Sequence, residues 1–288
     1  IDRFGGSYAD SDFHKWTYGA DTDWYKELLR TAVITNHSVG ISGGSDKATY
    51  SLGISYLYQD GIMNTENNYK RLNFRAAVDY DATSWLKVGF NGEFSKSDQV
   101  LPNNAAWQQA FNTPGIIPVF DEQNTQAFPD KYATPSSIGL STNFKNPVAT
   151  AKYYDAKNEL RQYMTNFYAQ INLLPQKLNF KTNISYNFQD INGSVFTPTY
   201  YVSDSQQSNT TNLNKSNSQY SSYIWDNTLT YKDSYGKHNF GAMLGASMRQ
   251  ETYKNLWGNA TGIPEGSDAY HYLSQGNPTG RTLGDGGT

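Results

Sequence analysis

ATYSLGISYLYQ, residues 48–59, is the stretch whose reading decides the fold. Ala48, Tyr50, Leu52, Ile54, Tyr56 and Tyr58 share one face of an extended chain. Thr49, Ser51, Gly53, Ser55 and Gln59 share the other, with Leu57 the one apolar residue among them. Successive side chains of a strand point to opposite sides, so this segment is a strand with one oily and one wet side. A soluble antiparallel sheet also alternates. Long strands with aromatics near their ends and Arg, Lys, Asp and Glu on the inner face instead fit a wall between lipid and a water-filled lumen.

The same rhythm recurs outward from this segment. Strands are expected over about 36–43, 47–59, 69–81, 85–97, 160–174, 178–189, 219–232 and 238–250, about eight in all. On the third, Leu72, Phe74, Ala76, Val78 and Tyr80 oppose Arg71, Asn73, Arg75 and Asp79. On the fourth, Leu86, Val88, Phe90 and Phe94 oppose Lys87, Asn91, Glu93 and Ser95. Tight connections are expected at 43–46, 82–84, 175–177 and 233–237, alternating with longer ones at 60–68, 98–158 and 190–217 and an irregular tail at 251–288. Short turns at one end and long loops at the other are the signature of outer-membrane barrels. Before the strands, TDWYKELLRT at 22–31 predicts a short helix capped by Thr22 or Asp23. Inside the longest loop, Asn104 to Phe111 predicts another, closed by Pro114.

Composition agrees. Of 288 residues, 37% are apolar and 17% charged, both low for a soluble domain, while aromatics reach 15% with 23 tyrosines. Only half of each barrel strand faces lipid, so a mean hydropathy of -0.69 does not oppose a barrel. No window approaches the roughly 18 consecutive apolar residues of a spanning helix. Cysteine is absent and the net charge is -3, which exclude a disulfide scaffold and give no basic patch for nucleic acid. Tyr56, Tyr58, Tyr69, Tyr80, Trp85, Tyr186, Tyr223, Trp225 and Tyr231 lie towards strand ends, where amphipathic rings favour the membrane interface.

Catalytic chemistry is not expected. His14, His37, His238 and His271 are far apart and lack metal-ligand spacing, and no nucleophile elbow is present. No catalytic residue, metal or cofactor is assigned. Arg71, Arg75, Asp79, Lys87 and Glu93 alternate in phase on neighbouring strands and are expected as a charged lumen wall, either pairing across strands or shaping what passes. In the loops, Trp107, Phe111, Tyr153, Tyr154, Tyr200, Tyr201 and Trp257 offer flat faces beside Asn, Gln and Asp, a chemistry that suits sugars, although for any single one of them packing within the loops is the better account.

Residues 22–63, TDWYKELLRTAVITNHSVGISGGSDKATYSLGISYLYQDGIM, resemble the start of the barrel in SusC-like TonB-dependent transporters of Bacteroidetes. YKRLNFRAAVDYDATSWLKVGFN at 69–91 and WDNTLTYKDSYGKHNFGAMLGAS at 225–247 resemble other hairpins of the family. The resemblance implies a barrel of about 22 strands in the bacterial outer membrane. It also implies an N-terminal plug, a SusD-like surface lipoprotein, energy from the TonB complex, and an oligosaccharide or peptide cargo. On this reading residues 1–35 form a plug-to-barrel linker with a short helix, and 36–288 part of the barrel. A soluble or surface β-sandwich that binds carbohydrate, and a passive porin, are the alternatives.

Overall fold

The alternation at residues 48–59 becomes β2 (Ala48–Asp60), second of nine strands in one antiparallel sheet. This is seen in a computed structural model that describes residues 19–175 and 177–288. The expectations for residues 1–18 and for Gln176 lie outside the described residues. Along the sheet run β1 (Ile34–Gly44), β2, β3 (Asn68–Asp81), β4 (Leu86–Leu101), β5 (Asp155–Leu174) and β6 (Leu178–Thr197). They are followed by β9 (Asn212–Tyr235), β10 (His238–Thr261) and β11 (Thr282–Gly287). A separate hairpin, β7 (Tyr200–Ser203) and β8 (Gln206–Ser208), lies in the connection after β6. β1 and β11 each have one neighbour, so the sheet is an open section of barrel wall.

Tight turns occupy one end, at 45–47, 82–85 and 236–237, and the short connection between Leu174 and Leu178 lies there too. Gly236 adopts φ 58°, the left-handed region that a two-residue hairpin needs and glycine supplies without strain. In the second turn, Thr83 Oγ1 accepts the backbone N–H of Trp85 and of Leu86. Connections at 61–67, 102–154, 198–211 and 262–281 all emerge at the other end.

Register makes the two faces continuous. Tyr50, Val78, Phe90, Phe167, Ile184, Trp225 and Met248 form one cross-strand row, and Ile54, Phe74, Phe94, Tyr163 and Phe188 another. These side chains are open: Ile54 is 50%, Phe167 55% and Leu244 73% exposed. A β-sandwich would bury that face under a second sheet. Instead, the buried apolar clusters lie among loop residues and upper strand ends. From Leu86 to Phe94 the outer face of β4 is apolar, about 26 Å of strand at ~3.3 Å per residue. With a barrel tilt of roughly 40° it rises about 20 Å along the membrane normal, most of an apolar band of about 25 Å. The fold is an antiparallel transmembrane β-barrel wall.

The strands are longer than their sequence predicts, and there are nine rather than about eight in the sheet. β9 and β10 each have 24 residues, far more than the roughly 9–11 that cross a bilayer. The loop expected over 190–217 contracts to 198–211, and the one over 98–158 to 102–154. The tail expected as irregular over 251–288 instead holds the end of β10 and all of β11. Beyond the apolar band both strand faces meet water, so alternation disappears while pairing continues.

The loop end has its own small core. α1 (Trp24–Leu28) starts at Asp23, whose carboxylate accepts from the N–H groups of Tyr25 and Lys26. α2 (Ala105–Asn112) and α3 (Pro147–Lys152) pack against it through Ala106, Ala110 and Ala151. Trp24, 3% exposed, fills the centre and donates Nε1–H to the Pro114 carbonyl at 3.2 Å. Residues 19–33, part of the expected linker, therefore stand at the loop end, where Leu29 bridges to Met63.

Candidate functional site

The sheet face opposite the apolar band carries the expected charges. Arg71, Arg75, Asp79, Lys87 and Glu93 all fall on it. Arg75 stands directly across from Glu93, and its Nε donates to Glu93 Oε2 at 3.0 Å while the Arg75 side chain stays 68% exposed. Lys87 Nζ lies 3.6 Å from Asp79 Oδ2. Arg71 has no ionic partner among the described residues.

Two members of this wall were not legible in the sequence. Tyr168 of β5 donates its hydroxyl to Asp79, and Lys181 of β6 holds its ammonium 4.6 Å from the Tyr168 ring centroid. The group spans four strands, and no local pattern links residues 79, 87, 168 and 181. A lattice of amides and hydroxyls continues beside it, with Asn166 Nδ2 donating to Asn183 Oδ1 at 2.7 Å and Ser185 Oγ at 2.8 Å. Concavities of about 300–1,000 Å³ are typical of ligand sites, and one of 710 Å³ opens here between Arg75, Glu93, Asn91, Asn166 and Asn187. Asn187 Oδ1 is buried with no hydrogen-bond partner, an acceptor left for a ligand or water. This surface offers exchangeable hydrogen bonds and charges of both signs, which suits guiding a hydrated polar solute.

The seven loop aromatics are not one cluster. Tyr153 is 6% exposed and stacks on Tyr200 at 4.5 Å, with Tyr132 edge-on at 5.8 Å. These rings form a core that joins the 102–154 loop to the β7–β8 hairpin. Burial, with the Asp130 carboxylate next, pushes the Tyr153 hydroxyl well above its ordinary value. Burial also raises the Asp130 carboxyl, but the Tyr153 hydroxyl and the Lys152 ammonium outweigh it and hold Asp130 below the usual range. Tyr201 turns aside to donate to Asp204 Oδ1 at 2.8 Å, and Tyr154 is half-buried. Trp257 stands on β10, not in a loop, beside Gly284 of β11. Trp107 and Phe111, one turn apart on α2, are 43% and 78% exposed and leave ring surface open at the loop end.

Asp155, Asp268 and His271 converge so that one ligand atom from each lies within 4.8 Å of the others. Sequence spacing gave no sign of this, since Asp155 is more than a hundred residues from the other two. The Lys157 ammonium already contacts Asp155 Oδ2 at 3.2 Å and Asp268 Oδ2 at 2.6 Å, so a protein cation occupies the place between the acids. His271 stacks on Phe196 at 3.9 Å. The trio is a latch holding the 262–281 segment to the wall.

Fold and polar wall together define a segment of a transmembrane β-barrel. Comparison with known proteins sharpens that class. No protein-family model matches the chain. Two TonB-dependent receptors of Formosa agariphila are 27% and 26% identical to it over 273 residues, covering 90% and 91% of this chain. TonB-dependent receptor SusC of Bacteroides thetaiotaomicron is 30% identical over 132 residues, 44% of this chain. The chain spans 26% of the length of the two Formosa relatives. Among solved structures, the RagAB peptide transporter shares the fold with a TM-score of 0.67 at 20% identity, over 93% of this chain and 30% of that one. The resemblance to SusC-like TonB-dependent transporters read from residues 22–63, 69–91 and 225–247 is borne out by these relatives.

Proposed function

We propose that this chain forms part of the barrel wall of an outer-membrane, TonB-dependent importer that takes up oligosaccharides or peptides. A SusD-like surface lipoprotein is the partner at the loop end, and the TonB complex supplies energy through a plug. The observation that carries this reading is the two-faced wall: an open apolar band outside, and paired charges with an amide lattice inside. The Formosa and Bacteroides relatives support the energy source by their names. Binding rests on many weak polar and stacking contacts, with Trp107 and Phe111 at the entrance and Arg71, Arg75, Asp79, Lys87 and Glu93 along the path.

Uptake of labelled oligosaccharides and peptides is the test, in cells carrying the full transporter with TonB intact or deleted. Accumulation that depends on both supports active import. Uptake that persists without TonB makes the protein a passive pore. Removing Phe111 with Phe111→Ala is expected to lower uptake at limiting substrate without changing folded yield.

A further inference from the structure

The outer face changes character at one register row. Immediately above Phe94, Tyr163 and Phe188 stand Lys96, Arg161 and Asp190, and the next row carries Lys70, Asp98, Glu159 and Asn192. These residues share the parity of the apolar band, so they project outward, just above the hydrocarbon. At this height the 262–281 segment folds over the outer wall, where Lys157 meets Asp268 and Gly258 lies under Leu273 and Leu283. Between the segment and the strands is a cavity of about 540 Å³ with Lys70, Lys157, Lys215, Leu256, Leu273 and Leu283 in its lining.

The charges in and beside this cavity divide into satisfied and available groups. Glu159 is held by Lys96 at 3.0 Å and by Arg161 at 2.6 Å, and Asp98 by Lys96 at 3.5 Å. Lys157 is held by its two aspartates. Lys70 and Lys215 have no ionic partner among the described residues, and each instead rests near a tyrosine ring, Tyr58 at 6.0 Å and Tyr272 at 5.1 Å. Glu66 at the rim is the remaining acid of the lining. Two free ammonium groups therefore border a pocket with an apolar wall, one polar row above the lipid-facing band. Anionic headgroups attract lysines at such a depth, and an amphipathic pocket at headgroup height, one row above the band, fits a molecule whose head is charged and whose tail is apolar.

We propose that this cavity holds the phosphorylated headgroup of an anionic lipid of the outer leaflet, with Lys70 and Lys215 on phosphate and the acyl chains descending over the apolar band. The inference rests on the membrane-spanning reading of that band, and is independent of the cargo. A lipid seated there braces the 262–281 segment from outside.

The test uses the full transporter in phosphatidylcholine nanodiscs doped with diphosphorylated lipid A, with retained lipid counted by native mass spectrometry after release. The parent is expected to retain lipid A in preference to phosphatidylcholine. The double variant Lys70→Glu/Lys215→Glu is expected to weaken retention about tenfold or more. Lys47→Glu, in a turn at the opposite end, is expected to leave it unchanged. If the double variant inserts poorly, Lys70→Gln/Lys215→Gln removes the charges without reversing them and must show the same direction. Equal retention by parent and variants, or equal retention of phosphatidylcholine, overturns the proposal. A parent that does not enter nanodiscs at all overturns the membrane reading itself, a separate and recognisable result.

Discussion

Tyr168 reaches over Gly89 to donate its hydroxyl to Asp79 at 2.5 Å, linking β5 to β3 across the strand between them. Gly89 sits opposite both partners, and a Cβ there would fall 2.1 Å from the Tyr168 ring and 2.6 Å from Asp79 Oδ1. Gly89→Val is therefore expected to break the link by displacing the ring. Tyr168→Phe removes only the hydroxyl and costs about 1 kcal/mol. Urea unfolding in lipid vesicles checks both, and the valine variant is expected to be the less stable. Equal stability would show that the glycine is not there for the tyrosine.

The Gln206 side chain acts as a peptide partner for Asn146. Its Oε1 accepts from the Asn146 N–H at 2.8 Å, and its Nε2 donates to the Asn146 carbonyl at 2.8 Å. Both residues are buried. Gln206→Ala leaves the buried Asn146 N–H unpaired, at roughly 1–3 kcal/mol, while the Asn146 carbonyl keeps the Thr150 N–H at 3.2 Å. The expected result is fast amide exchange and protease sensitivity within 102–154, with strand amides unaffected.

Acid is expected to loosen the same loop. The Asp130 carboxyl lies below its ordinary value in the fold, despite burial, because Tyr153 and Lys152 stabilise its charge. A folded value below the unfolded value of about 3.9 means stability present above that pH and lost as pH falls through the lower folded value. Proteolysis of the loop measured against pH should rise below about pH 4. In Lys152→Gln/Tyr153→Phe that acid-dependent step should shrink while the loop is weaker at neutral pH.

Charge on the apolar band should be costly, and position should decide how costly. Arginine at a lipid-facing site near the bilayer midplane costs about 2–4 kcal/mol, while lumen positions tolerate change. Ile184→Arg is expected to cut the yield of folded protein in the outer-membrane fraction. Asn183→Arg, the next residue on the opposite face, is expected to fold at near-parental yield. Equal losses would contradict the assignment of faces.

What the sequence disclosed follows the range over which each signal acts. Alternation at 48–59, 69–81 and 178–189 is local, so both faces and the lumen charges were readable. The upper part of β10, with Asn255, Gly258 and Asn259, shows no polar–apolar alternation in sequence, so Trp257 reads as a loop residue. β11, TLGDGG, has little strand propensity and exists because β10 offers it an edge. Tyr153 with Tyr200, and Asn146 with Gln206, meet only after the loops fold together. Nothing within a few residues of any of them announces the contact.

Within the nine-stranded sheet the tight turns lie at one end, and among the described residues its register is shifted at a single place, between Asn172 and Leu174. Strand alignment is thus anchored from below, while the upper connections hang free of it and carry their own packing. Insertions or deletions in those connections leave the oil–water partition of the staves intact. Such an architecture lets a lineage rebuild the loop face while the part that spans the bilayer stays as it was.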